Sequence, residues 1–377
     1  MKSELRGTIK LRKPLKVALV CDWLTVFGGA EKVLWQFHEF FPEAPIYTTI
    51  YNQEKAGVFR QAKVIPSHLQ KYPFAKNHHP WYIPLMPQAI ERLNLRGYDL
   101  VISSSSTVAK AVLTDPETIH ICYCHTPLRY AWQPYLDERG QGGWCFNLLL
   151  SYLRLWDKVT ADRVDYFLAN SQNVAERIRK FYRRKAQVLY PPVEIDFFVP
   201  GKKARKNYFL YVSRLIKYKK PDLIVKVFNK LQIPLKIVGS GPMLGSLKKE
   251  ASENIEFFES VSPEKLRQLY QEAKAVIFPA EEDFGIVMVE ALSCGTPVIA
   301  FGKGGALEII KAGKTGDFFT DQSQAAIEKA ILSFNPNKYD PQILREAVTK
   351  FSLTNFKNNF EKILSKILKE RKKDGNL

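Results

Sequence analysis

Residues 275–301 constrain the fold of this chain more than any other segment. The segment begins with a short apolar run, residues 275–279, and ends with another, Val298–Phe301. Between the two runs lie a polar loop, a mostly apolar stretch of residues 286–292 and a Gly-Thr-Pro turn. Short apolar runs bounded by turn residues are typical of buried strands, and the stretch between them predicts a helix. The segment therefore predicts a strand–loop–helix–strand unit of an α/β fold.

Two carboxylates lie where a ligand of such a unit would bind. Glu282 is in the loop after the first predicted strand, and Glu290 is on the helix. Open α/β sheets bind ligands at the carboxyl ends of their strands, so both acids are expected to border one crevice. The backbone amides at the helix start suit an anion such as phosphate. These amides belong to Phe284, Gly285, Ile286 and Val287.

Glu290 is expected to need a specific partner, because its helix is apolar around most of its circumference. Burying an unpaired charge is costly, and a pair of sugar hydroxyls would satisfy the carboxylate. In the structural alternative, Glu282 is a solvated loop acid and Glu290 pairs with a neighbouring lysine or arginine.

The string of residues 280–300 resembles the E-x7-E signature of the GT-B glycosyltransferases of family 4, which take sugars from nucleotide diphosphates. Seven residues separate Glu282 from Glu290, Phe284-Gly285 lies between them, and Ala-Leu-Ser-Cys-Gly-Thr-Pro-Val-Ile-Ala follows. The resemblance implies an α/β GT-B fold, with two Rossmann-like domains facing a central cleft and a C-terminal helix that crosses back to the N-terminal domain. It also implies that Glu290 binds the ribose and Glu282 the sugar hydroxyls.

A length of 377 residues indicates two domains. Pro191-Pro192 and the charged run of residues 199–206 mark the boundary between them. We expect an acceptor-binding domain at residues 15–195, a nucleotide-sugar-binding domain at residues 206–355 and a terminal helix at residues 356–377. Residues 1–14 are expected to form a frayed basic end.

The net charge of +18 comes from 56 basic and 38 acidic residues. Such an excess favours acidic partners, which include sugar nucleotides, lipid diphosphates and an anionic membrane surface. The basic residues are spread over both halves and no nucleic-acid-binding motif is present, so nucleic acid is not expected as a partner.

Neither a signal peptide nor a transmembrane segment is predicted. The most apolar segment, residues 144–156, is short and contains Arg154. Cys21, Cys122 and Cys124 lie in apolar, strand-like settings, which indicates reduced thiols. We therefore expect a cytoplasmic protein, located at the inner face of the cytoplasmic membrane if its acceptor is lipid-linked.

Two features of the first half are candidate parts of the donor site. Gly28-Gly29 follows a predicted strand and opens a helix, so its backbone amides could approach a phosphate; a plain tight turn is the alternative. The resemblance places this loop beside the donor diphosphate. His125 ends a second predicted strand and resembles the strand-end histidine that contacts the donor sugar in related enzymes, whereas His120 is interpreted as structural.

Residues 60–97 mix aromatic, basic and proline residues. Such a mixture could meet lipid headgroups or line an acceptor groove. A long loop packed on its own domain explains the composition equally well, so both interpretations stay open.

Cations follow the first strand of the second half. Arg214 comes directly after this strand, and Lys217, Lys219 and Lys220 follow within a few residues. A bound anion would compensate this cluster, although an exposed basic loop is the alternative. The cluster resembles the family's Arg and Lys pair that holds the donor diphosphate; Arg214 and Lys219 match by position, with Lys220 as a close rival.

Two further turns are assigned to the donor side. Gly241 belongs to a Gly-Ser-Gly turn after a strand, which is either diphosphate-binding or merely structural. Val261 lies in a loop that touches the nucleotide base in similar proteins.

The resemblance implies a retaining glycosyl transfer that requires no metal cofactor. It assigns the reaction to His125, Arg214, Lys219 and Glu282. It assigns donor binding to Gly28, Gly29, Gly241, Val261, Phe284, Gly285, Ile286, Val287 and Glu290. Two segments resemble those of family members that transfer mannose from GDP-mannose: Cys-His-Thr-Pro-Leu-Arg-Tyr and Glu-Glu-Asp-Phe-Gly-Ile-Val. The expected acceptor is a saccharide or lipid-linked saccharide, and peripheral association with an anionic membrane is expected with it. A UDP-sugar-dependent transferase and a non-catalytic nucleotide-sugar-binding protein are the alternatives.

Overall fold

The computed structural model describes residues 15–132, 144–201 and 204–373. The expected basic end at residues 1–14 lies outside the described residues. The chain divides into two compact units. The first unit contains the residues up to Pro191 and those from Lys357 onward, and the second contains Pro192–Phe356.

The first unit is built on a seven-stranded parallel sheet with the order β3-β2-β1-β4-β5-β6-β7. Its strands are β1 (Val17–Cys21), β2 (Ile46–Thr48), β3 (Val64–Pro66), β4 (Leu100–Ser105), β5 (Ile119–Cys124), β6 (Tyr166–Ala169) and β7 (Ala186–Val188). Its helices are α1 (Gly29–Phe40), α2 (Met86–Glu91), α3 (Arg129–Trp132), α4 (Trp144–Thr160) and α5 (Gln172–Tyr182). Strand order that steps outward from the middle of the sheet in both directions is the doubly wound arrangement of Rossmann-like domains.

The second unit repeats this architecture with a six-stranded parallel sheet of order β10-β9-β8-β11-β12-β13. Its strands are β8 (Phe209–Val212), β9 (Leu235–Val238), β10 (Ile255–Phe258), β11 (Ala275–Phe278), β12 (Val298–Phe301) and β13 (Gly316–Phe319). Its helices are α6 (Pro221–Leu231), α7 (Leu244–Glu250), α8 (Pro263–Glu272), α9 (Ile286–Ser293), α10 (Ala306–Ile309), α11 (Gln324–Leu332) and α12 (Pro341–Glu346). The α/β fold class predicted from the sequence is confirmed.

The last helix, α13 (Leu353–Lys373), belongs to the first unit from Lys357 onward. Its Phe360 is fully buried, and the ring lies 4.9 Å from the ring of Phe37 and 5.0 Å from that of Phe40 on α1. Aromatic rings at these separations and steep angles contribute beyond the area that they bury. This aromatic cluster fixes the part of α13 from Lys357 onward to the first unit.

The central strands are buried because both faces of each sheet are covered by helices. Every residue of β1, β4 and β5 is buried. His120 lies within β5, where Nε2 bonds the hydroxyl of Ser103 at 2.8 Å and Nδ1 lies 3.2 Å from the carbonyl oxygen of Arg163. Burial lowers the pKa of His120 to about 4. These contacts agree with its interpretation as a structural residue.

The predicted strand–loop–helix–strand unit is present as β11, a seven-residue loop, α9 and β12. Gly295 ends α9 with a φ of 73°, the left-handed conformation that glycine adopts at helix ends. Thr296 then donates its hydroxyl to the carbonyl oxygen of Tyr270 at 2.5 Å, which fixes the turn before β12. The unit places the loop of Glu282 at the carboxyl end of β11.

Across the described residues, none of the helices combines the length and the apolar character that crossing a bilayer requires.

Candidate active site

Lys219 and Glu282 meet at the carboxyl edge of the second sheet. Strands β8 and β11 are neighbours in this sheet, and the chain that leaves each strand carries one of the two residues. The Lys219 ammonium forms an ion pair with Glu282 Oε1, and the two side chains are only 16% and 12% exposed. The sheet order therefore brings together two predicted site residues that are 63 positions apart.

The structure distinguishes Lys219 from Lys220. Lys219 ends a short 3-10 turn, Lys217–Lys219, and its backbone carbonyl accepts a bond from the Tyr211 hydroxyl at 3.0 Å. Lys220 adopts a left-handed backbone with a φ of 58° and precedes the first residue of α6. Of the two lysines, Lys219 is the one whose ammonium contacts Glu282.

Arg214, like Lys219, lies in the chain that leaves β8, and it is exposed. Among residues 15–132, 144–201 and 204–373, no carboxylate forms an ion pair with it. The Gly-Ser-Gly turn after β9 passes very close to the backbone that leaves β8, next to Arg214, and this close approach explains its glycines. A Cβ on Gly239 would lie 1.9 Å from the carbonyl oxygen of Ser213, and one on Gly241 would lie 2.5 Å from that of Leu215. Gly241 therefore has a structural reason to be glycine, at the edge where Arg214 projects.

Glu290 is held by a tyrosine inside the second unit. Its side chain projects from α9 with only 7% of the residue exposed, and Oε2 accepts a bond from the Tyr270 hydroxyl at 3.0 Å. Tyr270 is fully buried on α8; burial, and after it the Glu290 carboxylate, raise the pKa of Tyr270 well above its ordinary value. The sequence suggested sugar hydroxyls or a basic neighbour as the partner of Glu290, and did not anticipate Tyr270.

The loop between β11 and α9 has a geometry that only glycine allows at one position. Gly285 has a φ of 102°, and a Cβ there would lie 2.2 Å from the Met288 methyl. The side chain of Phe284 is buried, with its ring 5.2 Å from that of Phe351, while Ile286 and Val287 begin α9 and are half-buried. At Phe284, therefore, the backbone and not the ring is the group available to a ligand.

A second glycine turn, residues 302–305, is bonded to this loop. Gly305 donates its amide to the carbonyl oxygen of Glu282 at 2.8 Å, and a Cβ on Gly305 would lie 2.3 Å from the carbonyl oxygen of Phe284. The two loops support each other and fix the backbone of Glu282. Val261 is half-buried in the loop between β10 and α8, at the carboxyl end of the edge strand of the same sheet.

The first unit carries Gly28 and Gly29 at the start of α1. Gly28 donates its amide to Glu31 Oε2 at 2.9 Å, so the carboxylate three residues ahead already occupies this donor. Gly29 is the first residue of the helix. The Gly28 amide therefore already has an acceptor within its own helix, and donor binding by Gly28 and Gly29 stays a prediction.

His125 directly follows β5 and is held from two sides. Its Nε2 bonds the hydroxyl of Ser104 at 2.8 Å, and its carbonyl oxygen accepts a bond from the side-chain amide of Asn170 at 2.9 Å. Its own amide donates to the carbonyl oxygen of Ser105 at 2.8 Å. The ring therefore has a defined position at the carboxyl edge of the first sheet.

Asp22 is a buried residue of this edge that the sequence analysis did not single out. Its two oxygens accept bonds of 2.6 to 3.0 Å from four consecutive backbone amides and from the Ser106 hydroxyl. The amides belong to Ser106, Thr107, Val108 and Ala109. A signal was present, because Asp22 directly follows a buried apolar strand and a serine run, residues 103–106, lies at the end of β4. A small cavity beside it is lined in part by Trp23, Glu31 and Ser104.

The aromatic segment of residues 60–97 divides into two kinds of residue. Met86 is fully buried, and Tyr82 and Ile83 pack against the core of the first unit. Phe74 and Trp81 are 69% and 66% exposed, and the Trp81 ring stacks on His78 at 4.5 Å. The packed residues agree with the interpretation as a loop on its own domain, and the contact of the exposed aromatic residues with lipid headgroups or an acceptor stays a prediction.

Comparison with known proteins gives two consecutive family matches. Residues 27–197 match the model described as Glycosyltransferase Family 4, and residues 192–351 match the model described as Glycosyl transferases group 1. D-inositol 3-phosphate glycosyltransferase of Mycobacterium sp. (strain KMS) is 30% identical over 185 residues, which are 42% of this chain and 42% of that protein. The chain thus spans less than half of the length of the curated relative that it matches.

Solved structures match over most of the chain. Anabaena HepE in complex with UDP and glucose has a TM-score of 0.70 and 18% identity, and the match covers 93% of this chain and 100% of HepE. Sucrose-phosphate synthase from Thermosynechococcus elongatus has a TM-score of 0.71 and 16% identity, with 95% and 100% covered. At such identities the likeness concerns the fold, which is the two-sheet architecture expected from the sequence.

Proposed function

Because the chain belongs to the family 4 glycosyltransferases with the GT-B fold, we propose that it transfers mannose from GDP-mannose to a saccharide or lipid-linked saccharide acceptor. The observation that carries the proposal is the ion pair of Lys219 and Glu282, which lies where parallel sheets bind their ligands. A cation and a carboxylate in contact at this edge offer one group for the donor diphosphate and one for the sugar.

Lys219 would exchange one anion for another when the donor binds. A diphosphate carries more charge than Glu282, and exposed Arg214 lies on the same side of β8 to share it. Release from Lys219 would leave the Glu282 carboxylate to accept hydrogen bonds from sugar hydroxyls. The ion pair thus keeps both charges compensated before the donor arrives, since an unpaired charge at a partly buried position is costly.

The proposed reaction is a retaining, same-face substitution that requires no metal ion. The bond between the sugar's anomeric carbon and the phosphate oxygen breaks, and the acceptor oxygen forms the new bond to that carbon. The acceptor proton passes to the leaving phosphate oxygen. Arg214 and Lys219 would stabilise the negative charge that develops on the diphosphate.

The other residues would position the donor. Glu290, oriented by the Tyr270 hydroxyl, would bind the ribose hydroxyls. The α9 amides around Gly285 would face phosphate, since amides at a helix start favour anions. His125, oriented by Ser104, is assigned to the primary-hydroxyl side of the sugar.

A UDP-sugar is the second candidate donor. The Anabaena structure, which has a similar fold at 18% identity, contains UDP and glucose, and this is the reason to test uridine nucleotides beside guanine nucleotides. The mycobacterial relative is named for a phosphorylated inositol acceptor, which would also suit a chain of net charge +18. Peripheral association with an anionic membrane is part of the proposal for a lipid-linked acceptor.

A thermal-shift and donor-hydrolysis screen tests the proposal. The ligands are GDP-mannose, UDP-glucose, UDP-N-acetylglucosamine, GDP and UDP, and the variant is Glu290→Gln. We expect guanine nucleotides to stabilise the protein selectively and Glu290→Gln to lose most of that stabilisation. Selective stabilisation by uridine nucleotides would replace the donor assignment, and no stabilisation by any nucleotide would overturn the transferase proposal.

A further inference from the structure

Exposed aromatic rings lie together on the first unit, in the segment between β3 and α2. Phe74 and Trp81 are 69% and 66% exposed, and the ring of His78 contacts both. The His78 ring stacks on that of Trp81 at 4.5 Å and 19°, and lies 6.4 Å from the ring of Phe74. We call these three residues the aromatic platform. Exposed apolar residues that occur singly are ordinary, whereas a contiguous set marks an interaction surface.

The backbone holds the platform in a defined shape. Phe74 has a φ of 57°, a left-handed conformation that is uncommon for a bulky side chain. Its carbonyl oxygen accepts bonds from the amides of Asn77 at 3.0 Å and His78 at 2.8 Å, and the Trp81 amide donates to the carbonyl oxygen of His78 at 3.0 Å. Unfavourable backbone conformations of this kind are enriched at functional sites. Here the conformation presents a phenylalanine ring to solvent.

The platform is continuous with the carboxyl edge of the first sheet. His79, next to His78, bonds the hydroxyl of Thr25 through Nδ1 at 3.1 Å, and its ring lies 4.6 Å from that of Trp23. Trp23 and Thr25 belong to the chain that leaves β1, and Trp23 lines the small cavity beside Asp22. A long molecule that has one end at this edge could therefore extend over the platform.

A sugar ring fits a flat aromatic surface that has polar groups beside it. One face of a pyranose carries mainly C–H groups, while hydroxyls project from its rim. His78 covers one face of the Trp81 indole, so the opposite face is available to such a ring. Lys76 and Asn77 are exposed next to His78 and can donate hydrogen bonds to hydroxyls. Aromatic walls with a few polar groups that fix orientation are the usual composition of small-molecule sites.

We propose that the aromatic platform binds a saccharide chain of the acceptor, at a distance from the sugar that is glycosylated. The proposal deepens the proposed function and rests on it, because it states that the acceptor carries a chain of several sugars. One end of the chain lies at the carboxyl edge of the first sheet, and sugars further along it stack on Trp81 and Phe74. The platform thereby contributes to acceptor affinity and leaves donor binding unchanged.

A bilayer surface fits the platform less well. The side chain of Asn77 lies in the same turn as the rings, and its Oδ1 accepts bonds from Lys55 Nζ at 3.1 Å and Asn52 Nδ2 at 3.3 Å. Insertion of Phe74 and Trp81 among acyl chains would bring these polar groups out of water, which is costly. Stacking on a saccharide leaves them hydrated.

The test is isothermal titration calorimetry of the full chain, without nucleotide, against oligosaccharides of mannose, of glucose and of galacturonic acid. Each series runs from the monosaccharide to the pentasaccharide. We expect binding to at least one series, with an affinity that rises with chain length. Trp81→Ala and Phe74→Ala should each weaken binding of the longest chain about tenfold, because each removes one aromatic contact.

Two further substitutions of Trp81 separate stacking from lipid insertion. Trp81→Phe keeps a planar ring and should keep most of the affinity, whereas Trp81→Leu keeps apolar surface without a ring and should lose it. The matched control is Tyr152→Ala on α4, where an aromatic side chain outside the platform is 54% exposed. This variant should bind the saccharides like the wild type.

The proposal is overturned if affinity does not rise with chain length in any series, or if Trp81→Leu binds as tightly as Trp81→Phe. A lipid surface would be assigned to the platform instead if the wild type binds no saccharide but floats with phospholipid vesicles, and if Trp81→Ala abolishes flotation while Trp81→Leu retains it.

Nucleotide-induced thermal shifts separate this proposal from the proposed function. In Trp81→Ala we expect weaker saccharide binding with an intact nucleotide shift. A nucleotide shift in a wild type that binds no saccharide contradicts the role of the platform alone. Saccharide binding without any nucleotide shift contradicts the transferase and leaves the platform as a saccharide-binding surface.

Discussion

The carboxyl edges of the two sheets carry polar side chains that are satisfied in different ways. In the first unit, Asp22 is bonded by four backbone amides, and His125 is anchored through its ring and its carbonyl oxygen. In the second unit, Lys219 and Glu282 form an ion pair, and Glu290 accepts a hydrogen bond from the Tyr270 hydroxyl. Backbone partners are fixed by the fold, whereas side-chain partners can be replaced by a ligand.

This difference suggests that polar residues at the two edges have different roles. A carboxylate that accepts bonds from several backbone amides would lose all of them if it moved. Asp22 therefore holds β1 and the loop after β4 together whether or not a ligand is bound. An ion pair at a partly exposed edge can open when a more strongly charged partner arrives. We therefore expect mutation of Asp22 to change mainly stability and mutation of Lys219 or Glu282 to change mainly ligand binding.

The largest expected effect is the loss of stability in Asp22→Ala. The substitution leaves four amides, three of them buried, without their acceptor, which should lower the free energy of unfolding by about 3 kcal/mol. Denaturant unfolding, monitored through tryptophan fluorescence, measures the change. The control is Asp99→Ala, because Asp99 also accepts a backbone amide, that of Lys16 at 2.7 Å, but at an exposed position. Equal small losses in both variants would contradict the distinction.

The next effect concerns catalysis by the second edge. Lys219→Met removes the cation proposed to hold the diphosphate, and should reduce kcat/KM on the order of 100-fold. Donor turnover with the nucleotide sugar that stabilises the protein measures the loss. Lys220→Met is the matched control and should change turnover less than about fivefold, since its ammonium does not contact Glu282.

The fold was predictable from the sequence because its signals are local. Apolar runs, glycines and the Gly-Thr-Pro turn in residues 275–301 specify strands and turns within a few positions of themselves. The occupied amide of Gly28 was predictable too, since Glu31 stands at the capping distance along the chain. Partners that come from sheet order carry no local signal. Lys219 and Glu282, or Glu290 and Tyr270, are neighbours only once the strands are arranged, which is why the sequence indicated the acids but not their contacts.

A pH effect of intermediate size is expected from His120. The neutral ring is favoured in the fold, where Nδ1 donates to the Arg163 carbonyl oxygen, and its pKa falls from 6.5 to about 4. The unfolded chain therefore binds more protons below pH 6.5, and stability declines as the pH falls from 6.5 towards 4. At pH 5 this loss amounts to about 2 kcal/mol.

Unfolding of the wild type and of His120→Gln at pH 7 and pH 5 measures this contribution. The variant should be less stable at pH 7 but should lose less stability between the two pH values. Identical pH dependence in both proteins would show that His120 is protonated in the fold, and would remove it from the set of groups that rigidify the first sheet.

The smallest effect, Tyr270→Phe, tests the second edge most directly. The substitution removes a hydrogen bond to a buried carboxylate, which should cost about 1.5 kcal/mol of stability. Tyr208→Phe is the control, because the buried Tyr208 hydroxyl donates to the neutral carbonyl oxygen of Leu269 at 2.9 Å and should cost about 1 kcal/mol or less. Denaturant unfolding compares the two variants.

The nucleotide-induced thermal shift then separates a structural Glu290 from a ligand-binding one. If Tyr270 orients Glu290 for the ribose, Tyr270→Phe should reduce the shift while Tyr208→Phe leaves it unchanged, although both variants are destabilised. A shift that stays at the wild-type value in Tyr270→Phe would make the pair of Glu290 and Tyr270 a structural contact like that of Asp22. The contrast between the two sheet edges would then rest on Lys219 and Glu282 alone.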